Sequence, residues 1–323
     1  MLRSLEICAG AGGQALGLEQ AGFEPVMSID NDPNACATLR TNRPHWNVQQ
    51  LDLHDFVAAD HPQVLDVDLM ACGVPCTPFS VAGKQKGVED ERDLLEVAIW
   101  LAHEVQPKAI LIENVPALLT GNKFASSRDF VREELGHLGY RLHWELLNAQ
   151  DFGVAQRRPH SILVALRKEY YDHFQWPCPT DWPLTVGEVL QASMASRGWE
   201  GAGAWAKEAN TIAPTVVGGS KKHGGADLGP SRTKAAWAKL GVNGSSLADE
   251  VPGPDFVLEH GVGPHGWLGL PKLTVRQVAR LQGFPDDWIF SGRKTASYRQ
   301  VAQTFPPPVA AAVGEQIKRA LSL

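Results

Sequence analysis

The run Asp68-Leu69-Met70-Ala71-Cys72-Gly73-Val74-Pro75-Cys76-Thr77-Pro78-Phe79-Ser80 carries an apolar strand into a turn that presents a thiol, Cys76. Pro75 and Pro78 fix that loop. Cys76 is therefore a candidate nucleophile. It needs a reason to be a thiolate, because a free thiol of pKa about 8.5 is only a few per cent ionised at neutral pH. Backbone amides of a turn or helix start would supply one. The remaining cysteines, Cys8, Cys36, Cys72 and Cys178, are expected to be small buried hydrophobes.

Glu113 follows the apolar segment Ala109-Ile110-Leu111-Ile112, so it is expected at the carboxyl end of a strand, able to share a pocket with Cys76 and act there as an acid. Ala9-Gly10-Ala11-Gly12-Gly13 follows the first strand and precedes a helix beginning near Gln14, the place where a doubly wound sheet binds the nucleotide part of a cofactor. Asp30 ends the second strand and is placed to accept hydrogen bonds from ribose hydroxyls. Asp52, followed by Leu53, ends a third short segment, where a carboxylate suits an adenine amino group. Gly13 follows Gly12 directly, and the next glycine is Gly17. That spacing departs from the dinucleotide fingerprint and points away from NAD, toward another adenosine-bearing cofactor.

The elements that must position these residues alternate through the first half of the chain. Strands are predicted at Leu5–Cys8, Pro25–Ile29, Val67–Ala71, Ala109–Ile112 and Ser161–Leu166, with an amphipathic helix over Asp93–Val105, which reads as a mostly parallel α/β sheet. After Trp176-Pro177-Cys178-Pro179 the texture changes. Trp182, Trp199, Trp205, Trp237 and Trp267 are dispersed among glycine, serine and lysine, which marks a second domain, and these tryptophans are assigned to its core. Its stretch 217–225, with Lys221 and Lys222, reads as a flexible basic loop suited to phosphate or groove contact. A helical pattern resumes over Thr274–Gln282, and Pro308–Leu321 is predicted as a last helix.

At 323 residues and 44% hydrophobic content, one large domain and a smaller one are expected. No apolar stretch approaches the roughly 20 residues of a membrane span, and Met1-Leu2-Arg3-Ser4 leads directly into a strand, so a cytoplasmic globular protein without membrane attachment is expected. Five cysteines without paired C-x-x-C spacing favour neither a disulfide framework nor a metal site. The net charge of −6 is unevenly divided. Residues 1–150 hold 11 Lys+Arg against 21 Asp+Glu, and residues 151–323 hold 19 against 15, so the second half is the one suited to a polyanion.

Gly73-x-Pro75-Cys76 with Phe79-Ser80, Glu113-Asn114-Val115, Gln156-Arg157-Arg158, Leu273-Thr274-Val275-Arg276 through Arg280-Leu281-Gln282-Gly283-Phe284-Pro285, and Tyr298-Arg299-Gln300 with Pro306-Pro307-Pro308-Val309 occur in the order of DNA (cytosine-5-)-methyltransferases. The sequence resembles that family almost end to end, except at about residues 175–270, where the family keeps its variable target-recognition domain. The resemblance implies a Rossmann-like S-adenosylmethionine-dependent methyltransferase sheet with a smaller, mixed domain. Residues 1–175 plus 297–323 would be catalytic and cofactor-binding, and 176–296 would recognise the target.

S-adenosylmethionine, leaving as S-adenosylhomocysteine, would be held by Cys8, Ala9, Gly10, Gly12, Gly13, Asp30, Asp52, Leu53, Pro75, Leu95 and Gln303. By the same resemblance Cys76 would add to C6 of a cytosine rotated out of the duplex, and Glu113 would hydrogen-bond its N3 and exocyclic amine. Ser80, Lys84, Lys221, Lys222, Arg232 and Arg276 are assigned to nucleic-acid contact. The expected partners are double-stranded DNA and, functionally, a restriction endonuclease, with the enzyme itself a monomer without metal.

Departures from the family pattern are specific. His160 stands where the second arginine of Gln-x-Arg-x-Arg is usual, so either His160 takes over the contact to the base oxygen or Arg157 or Arg158 does, with Arg158 preferred. Cys8 replaces an aromatic, Asp30 a glutamate, Thr77 a glutamine, and Ala302-Gln303 a Gly-Asn pair. A tRNA cytosine-5 methyltransferase and a catalytically silent DNA-binding relative are the alternatives. An NAD-dependent oxidoreductase would leave Cys76, Glu113 and the later motifs without purpose.

Overall fold

The computed structural model describes residues 1–75, 94–180, 182–217 and 225–322. Its chain divides into two compact units, Met1–Leu147 with Pro159–Cys178 and Val309–Leu323, and Asn148–Arg158 with Pro179–Pro308.

The first unit is built on β1 (Leu2–Ile7), α1 (Gly13–Ala21), β2 (Phe23–Asp30), α2 (Pro33–Asn42), β3 (Val48–Gln50), β4 (Leu69–Cys72), α3 (Leu94–Val105), β5 (Ala109–Asn114), α4 (Pro116–Thr120), α5 (Ala125–His137), β6 (Tyr140–Asn148), β7 (Pro159–Arg167) and α6 (Lys168–Tyr171). The strands form one sheet in the order β3-β2-β1-β4-β5-β7-β6. β1 pairs in parallel with β2 and β4, and β4 with β5, whereas β7 runs antiparallel to β5. The near-continuous apolar runs of β4 and β5 follow from burial on both faces: Leu69, Met70, Ile110 and Leu111 are all fully buried, as are Leu5 and Ile7 of β1. The sheet carries two strands that no apolar run in the sequence marks. β3 is only three residues long, and β6 lies at the edge of the sheet, where Arg141, Glu145 and Leu146 face solvent among its apolar residues.

Local chemistry starts the helices. Asp32 caps α2 by accepting from the amides of Asn34 (2.7 Å) and Ala35 (3.2 Å), with Pro33 at the first helical position. The last helix, α12 (Pro307–Leu321), is in the first unit from Val309 onward. It lies so close to α1 that a Cβ on Gly314 would come within 2.8 Å of the Leu18 side chain and 2.9 Å of Ala21 Cβ, and Lys318 Nζ donates to the carbonyl of Ala21 at 2.9 Å.

The second unit contains α7 (Val186–Ala195), α8 (Ala202–Glu208), α9 (Ser231–Ala238), α10 (Val275–Leu281) and α11 (Lys294–Gln303). Thr185 with Glu188 and Thr274 with Gln277 form capping boxes at the starts of α7 and α10. Trp205 and Trp237 are fully buried and Trp199 and Trp267 nearly so, whereas Trp182 is 84% exposed and so departs from the core role expected of it.

Residues 148–158 and 297–308 pack with this unit, unlike the division expected from the sequence. The reason is a chain of buried amides. Gln156 Nε2 donates to Gln282 Oε1 (2.6 Å), Gln156 Oε1 accepts from the Val216 amide (2.6 Å), and Gln282 Nε2 donates to the Val301 carbonyl (3.0 Å). Both glutamines are fully buried, so each of these bonds holds distant segments together.

Gly314→Val would drive its side chain into α1. A loss of about 1 to 3 kcal/mol is expected, seen as a lower melting temperature by calorimetry, and an unchanged melting temperature would contradict the close packing.

Candidate active site

The sheet order places a topological switch between β1 and β4, because the chain leaves β1 toward β2 on one side and returns to β4 on the other. The loops after these two strands meet there. Gly73, following β4, lies so close to the loop after β1 that a Cβ on it would sit 3.0 Å from the Cys8 carbonyl oxygen. Cys8, Gly10 and Gly12 have φ of 51°, 54° and 83°, so the loop turns through left-handed conformations that suit glycine and strain Cys8. A Cβ on Gly10 would meet no atom within 4 Å. This is an open crevice whose floor is backbone.

Carboxylates border the crevice. Asp30 Oδ2 accepts from the Gly10 amide (2.7 Å) and Oδ1 from the Asp32 amide (2.8 Å), so Asp30 first of all braces the glycine turn. Burial raises its pKa, and these backbone bonds oppose the rise. With a further backbone bond from Asn31, the carboxylate spends most of its acceptor capacity on the turn. Asp52 is exposed and accepts from the His54 amide (3.0 Å) and lies 2.7 Å from His54 Nδ1; the backbone bond is the main cause that holds its carboxyl below the usual range. Ala9, Gly12, Gly13 and Leu53 are buried beneath or beside the turn, and Leu95 is buried on α3. Pro75 is exposed at the end of the described segment. Gln303 is exposed on α11, in the second unit.

Cys76, Ser80 and Lys84 lie outside the described residues, as do Lys221 and Lys222. The approach to Cys76 is nonetheless held. Asn114 Nδ2 donates to the Val74 carbonyl at 2.9 Å, and Asn114 Oδ1 accepts from the Val115 amide at 2.8 Å. Asn114 is 3% exposed, so this tether between the loop after β4 and the end of β5 is shielded from water. The preceding residue, Glu113, extends toward β7, where its Oε1 lies 2.6 Å from His160 Nδ1. The Glu113 and His160 side chains are 16% and 5% exposed. A ring carrying its proton on Nδ1 donates to Oε1 there. Ser161, beside His160, accepts from Trp144 Nε1 at 2.8 Å.

Arg158 lies in the second unit, where its amide donates to Asn148 Oδ1 (3.0 Å) and its Nη1 to the Val216 carbonyl (2.8 Å). Among the catalytic candidates in the described residues, Glu113 and His160 are thus the pair in direct contact. Arg232 and Arg276 are exposed, near the starts of α9 and α10, and make no ion pair among the described residues.

Three other thiols are held in the protonated form by burial. Burial pushes Cys8 up to about 12 and Cys36 to about 11, and lifts Cys72 well above the usual thiol range. Cys178 corrects the sequence expectation, for it is exposed. Glu6 is a second departure. This β1 carboxyl is fully buried, accepts from Gln14 Nε2 at 3.2 Å, and is raised by desolvation to about 7. Its place inside an apolar strand, two residues before Cys8, was the signal that could have singled it out. Among the described residues no group of three or more His, Cys, Asp or Glu could hold a metal ion, and no helix is long and apolar enough to cross a membrane.

Residues 2–319 match the C-5 cytosine-specific DNA methylase family. The chain belongs to that family. As a C-5 cytosine-specific DNA methylase it is a DNA cytosine methyltransferase. It is 50% identical to the Type II methyltransferase M.NaeI of Lentzea aerocolonigenes over 323 residues, which cover 100% of this chain and 76% of that protein. It is 48% identical to the Type II methyltransferase M.NgoMIV of Neisseria gonorrhoeae, covering 98% of this chain and 97% of the relative. Its fold is similar to that of the S. pombe Dnmt2 methyltransferase, with a TM-score of 0.67 at 18% identity and full coverage of both chains.

Because Glu6 has a folded pKa of about 7 against an ordinary 4.5, it contributes stability that is fully present below pH 4.5 and is lost as pH rises to 7. Glu6→Gln, neutral at every pH, should therefore gain on the wild type across that window, to an extent on the order of 3 kcal/mol at pH 8. Denaturant unfolding at pH 5 and pH 8 measures this, and an advantage independent of pH would refute the buried ionisation.

Proposed function

We propose that this methylase transfers a methyl group from S-adenosylmethionine to C5 of a cytosine within a specific double-stranded DNA sequence, through a covalent bond between Cys76 and C6 of a flipped-out base. We assign the chemistry to the first unit and DNA recognition to the second. Its role would be that of the modification enzyme beside a restriction endonuclease, acting in the cytoplasm where chromosomal DNA resides. Support for the last point comes from the two Type II methyltransferases it matches along nearly its whole length.

The observation that carries the reading is the tethered edge of the sheet: Asn114 bonded to Val74, two residues before Cys76, with Glu113 and His160 paired beside it. The crevice at the switch point fits the cofactor, since it offers backbone with open space above Gly10 and two carboxylates, Asp30 and Asp52, at the ends of neighbouring strand segments. Bound there, S-adenosylmethionine would supply an electrophilic methyl group. The thiolate of Cys76 adds to C6 of cytosine and leaves C5 nucleophilic. Glu113, reacting in its protonated form, donates to N3 and so stabilises the negative charge that develops as the C6–S bond forms. Once C5 has taken the methyl group, with S-adenosylhomocysteine as the other product, and has passed its proton to water, the C5–C6 double bond re-forms, the C6–S bond breaks and Cys76 departs as thiolate. His160 Nδ1 holds Glu113 by one oxygen and leaves the other to the base.

Labelled methyl transfer to unmethylated genomic DNA and to tRNA, followed by bisulfite sequencing, tests the reaction. Label should enter DNA as 5-methylcytosine and disappear with Cys76→Ser; label in tRNA alone would sink the DNA reading. The role of His160 has its own test. Asparagine places an amide nitrogen where Nδ1 sits, whereas glutamine places one where Nε2 sits. His160→Asn should keep most of kcat while His160→Gln loses on the order of 100-fold. Equal losses in both variants would remove His160 from the positioning role.

A further inference from the structure

The second unit carries an exposed loop over residues 259–269, bent back like a hairpin although its isolated bridge, Val262 with Trp267, is parallel, and the reaction does not explain its construction. It is closed at its base by the Glu259 amide donating to the Gly269 carbonyl (3.1 Å), and again by the Leu268 amide donating to the Val262 carbonyl (3.1 Å). A tight turn follows, with the Gly266 amide on the Gly263 carbonyl at 3.1 Å. Gly261, Gly263 and Gly266 take φ of 75°, 79° and 76°, so three left-handed positions fall within six residues. A Cβ on Gly269 would overlap the Glu259 carbonyl oxygen, and one on Gly263 would overlap Leu268. His260 Nε2 pairs with Glu208 of α8 at 3.1 Å and fastens one flank.

This braced tip holds one side chain in a set orientation. The exposed His265 ring stacks on Trp267, with centroids 4.8 Å apart and planes 23° from parallel. Trp267 is itself 8% exposed and anchored in the unit. Leu268 and Val257 stand 59% and 69% exposed nearby in sequence. Holding an imidazole in one pose in the free protein lowers the entropy cost of using it in an interface.

The charge of the segment decides what it can address. Residues 251–271 contain Asp255 and Glu259 and no lysine or arginine, so the loop is unsuited to phosphates, which take cations. A ring N–H donor beside apolar side chains is instead the chemistry of base edges. We infer that the loop 259–269 is a base-reading element of the second unit, with His265 donating a hydrogen bond to the N7 or O6 acceptor of a guanine in the major groove. The inference rests on the DNA-methylating reading above and goes beyond it by naming the residue and the base edge. A guanine presents two acceptors side by side in that groove, which suits a ring N–H directed outward.

The test uses the full chain. Once bisulfite sequencing has defined the target, duplexes are made in which each guanine in turn is replaced by 7-deazaguanine, which lacks N7, or by 2-aminopurine, which lacks O6. One guanine should be found whose replacement lowers kcat/KM of the wild type by about tenfold or more and leaves His265→Ala unaffected. The salt dependence of KM should be the same in both proteins, because no phosphate contact has been removed. His265→Ala melting at the wild-type temperature, and His265→Gln retaining part of the discrimination, belong to the expected result. If His265→Ala lowers kcat/KM equally on every duplex, or discriminates as the wild type does, the loop does not read bases. Absence of any wild-type transfer to DNA would instead remove the underlying reading, and the inference with it.

Discussion

A buried amide ties together two loops of the first unit, at the place proposed for the reaction. Asn114 spends both halves of its side chain on backbone, donating to Val74 and accepting from Val115, in a place water does not reach. The bond joins the loop that leads to Cys76 to the strand that ends in Glu113. Two strands of one sheet are close by construction, but their loops are not, and a shift of about 1 Å between a nucleophile and its acid partner is costly to a reaction rate. The glycines after β1 and β4 serve the same end. They let two backbones approach where side chains would separate them, and Asp30 braces the result from the next strand.

The second unit solves a comparable problem with different chemistry. It has little regular sheet, so its segments cannot rely on a ladder of backbone bonds. Gln156 and Gln282 take that part, bridging residues 156, 216, 282 and 301 through fully buried amides. A half-satisfied network of this kind would be worse than an apolar core, so these side chains constrain the unit more than their number suggests. Gln156 opens the motif that carries Arg158, and beside those catalytic candidates it serves in assembly.

Burial sorts the titratable groups of the first unit. It keeps Cys8, Cys36 and Cys72 protonated and inert, and it holds Glu6 near the boundary between its two forms. His160 beside Glu113 is the chemically distinctive substitution, because an imidazole presents one nitrogen at a time where a guanidinium presents a charged fork. The carboxyl is thereby held by a single directed bond.

Much of this was legible in the residues alone. The apolar runs of β4, β5 and β7, the glycine turn and the ordered motifs are local patterns, and local patterns survive in one dimension because strand burial and tight turns constrain residue type directly. What remained hidden depends on partners far apart in the chain. β6 could not be seen because an edge strand need not be apolar, and the division between the units could not be placed because it turns on Gln156 meeting Gln282, 126 residues away. That His160 meets Glu113 could not be read until β7 lay antiparallel to β5. Sequence names the groups capable of chemistry; only the folded chain decides which of them touch, since contact distance is a property of packing and not of order along the backbone.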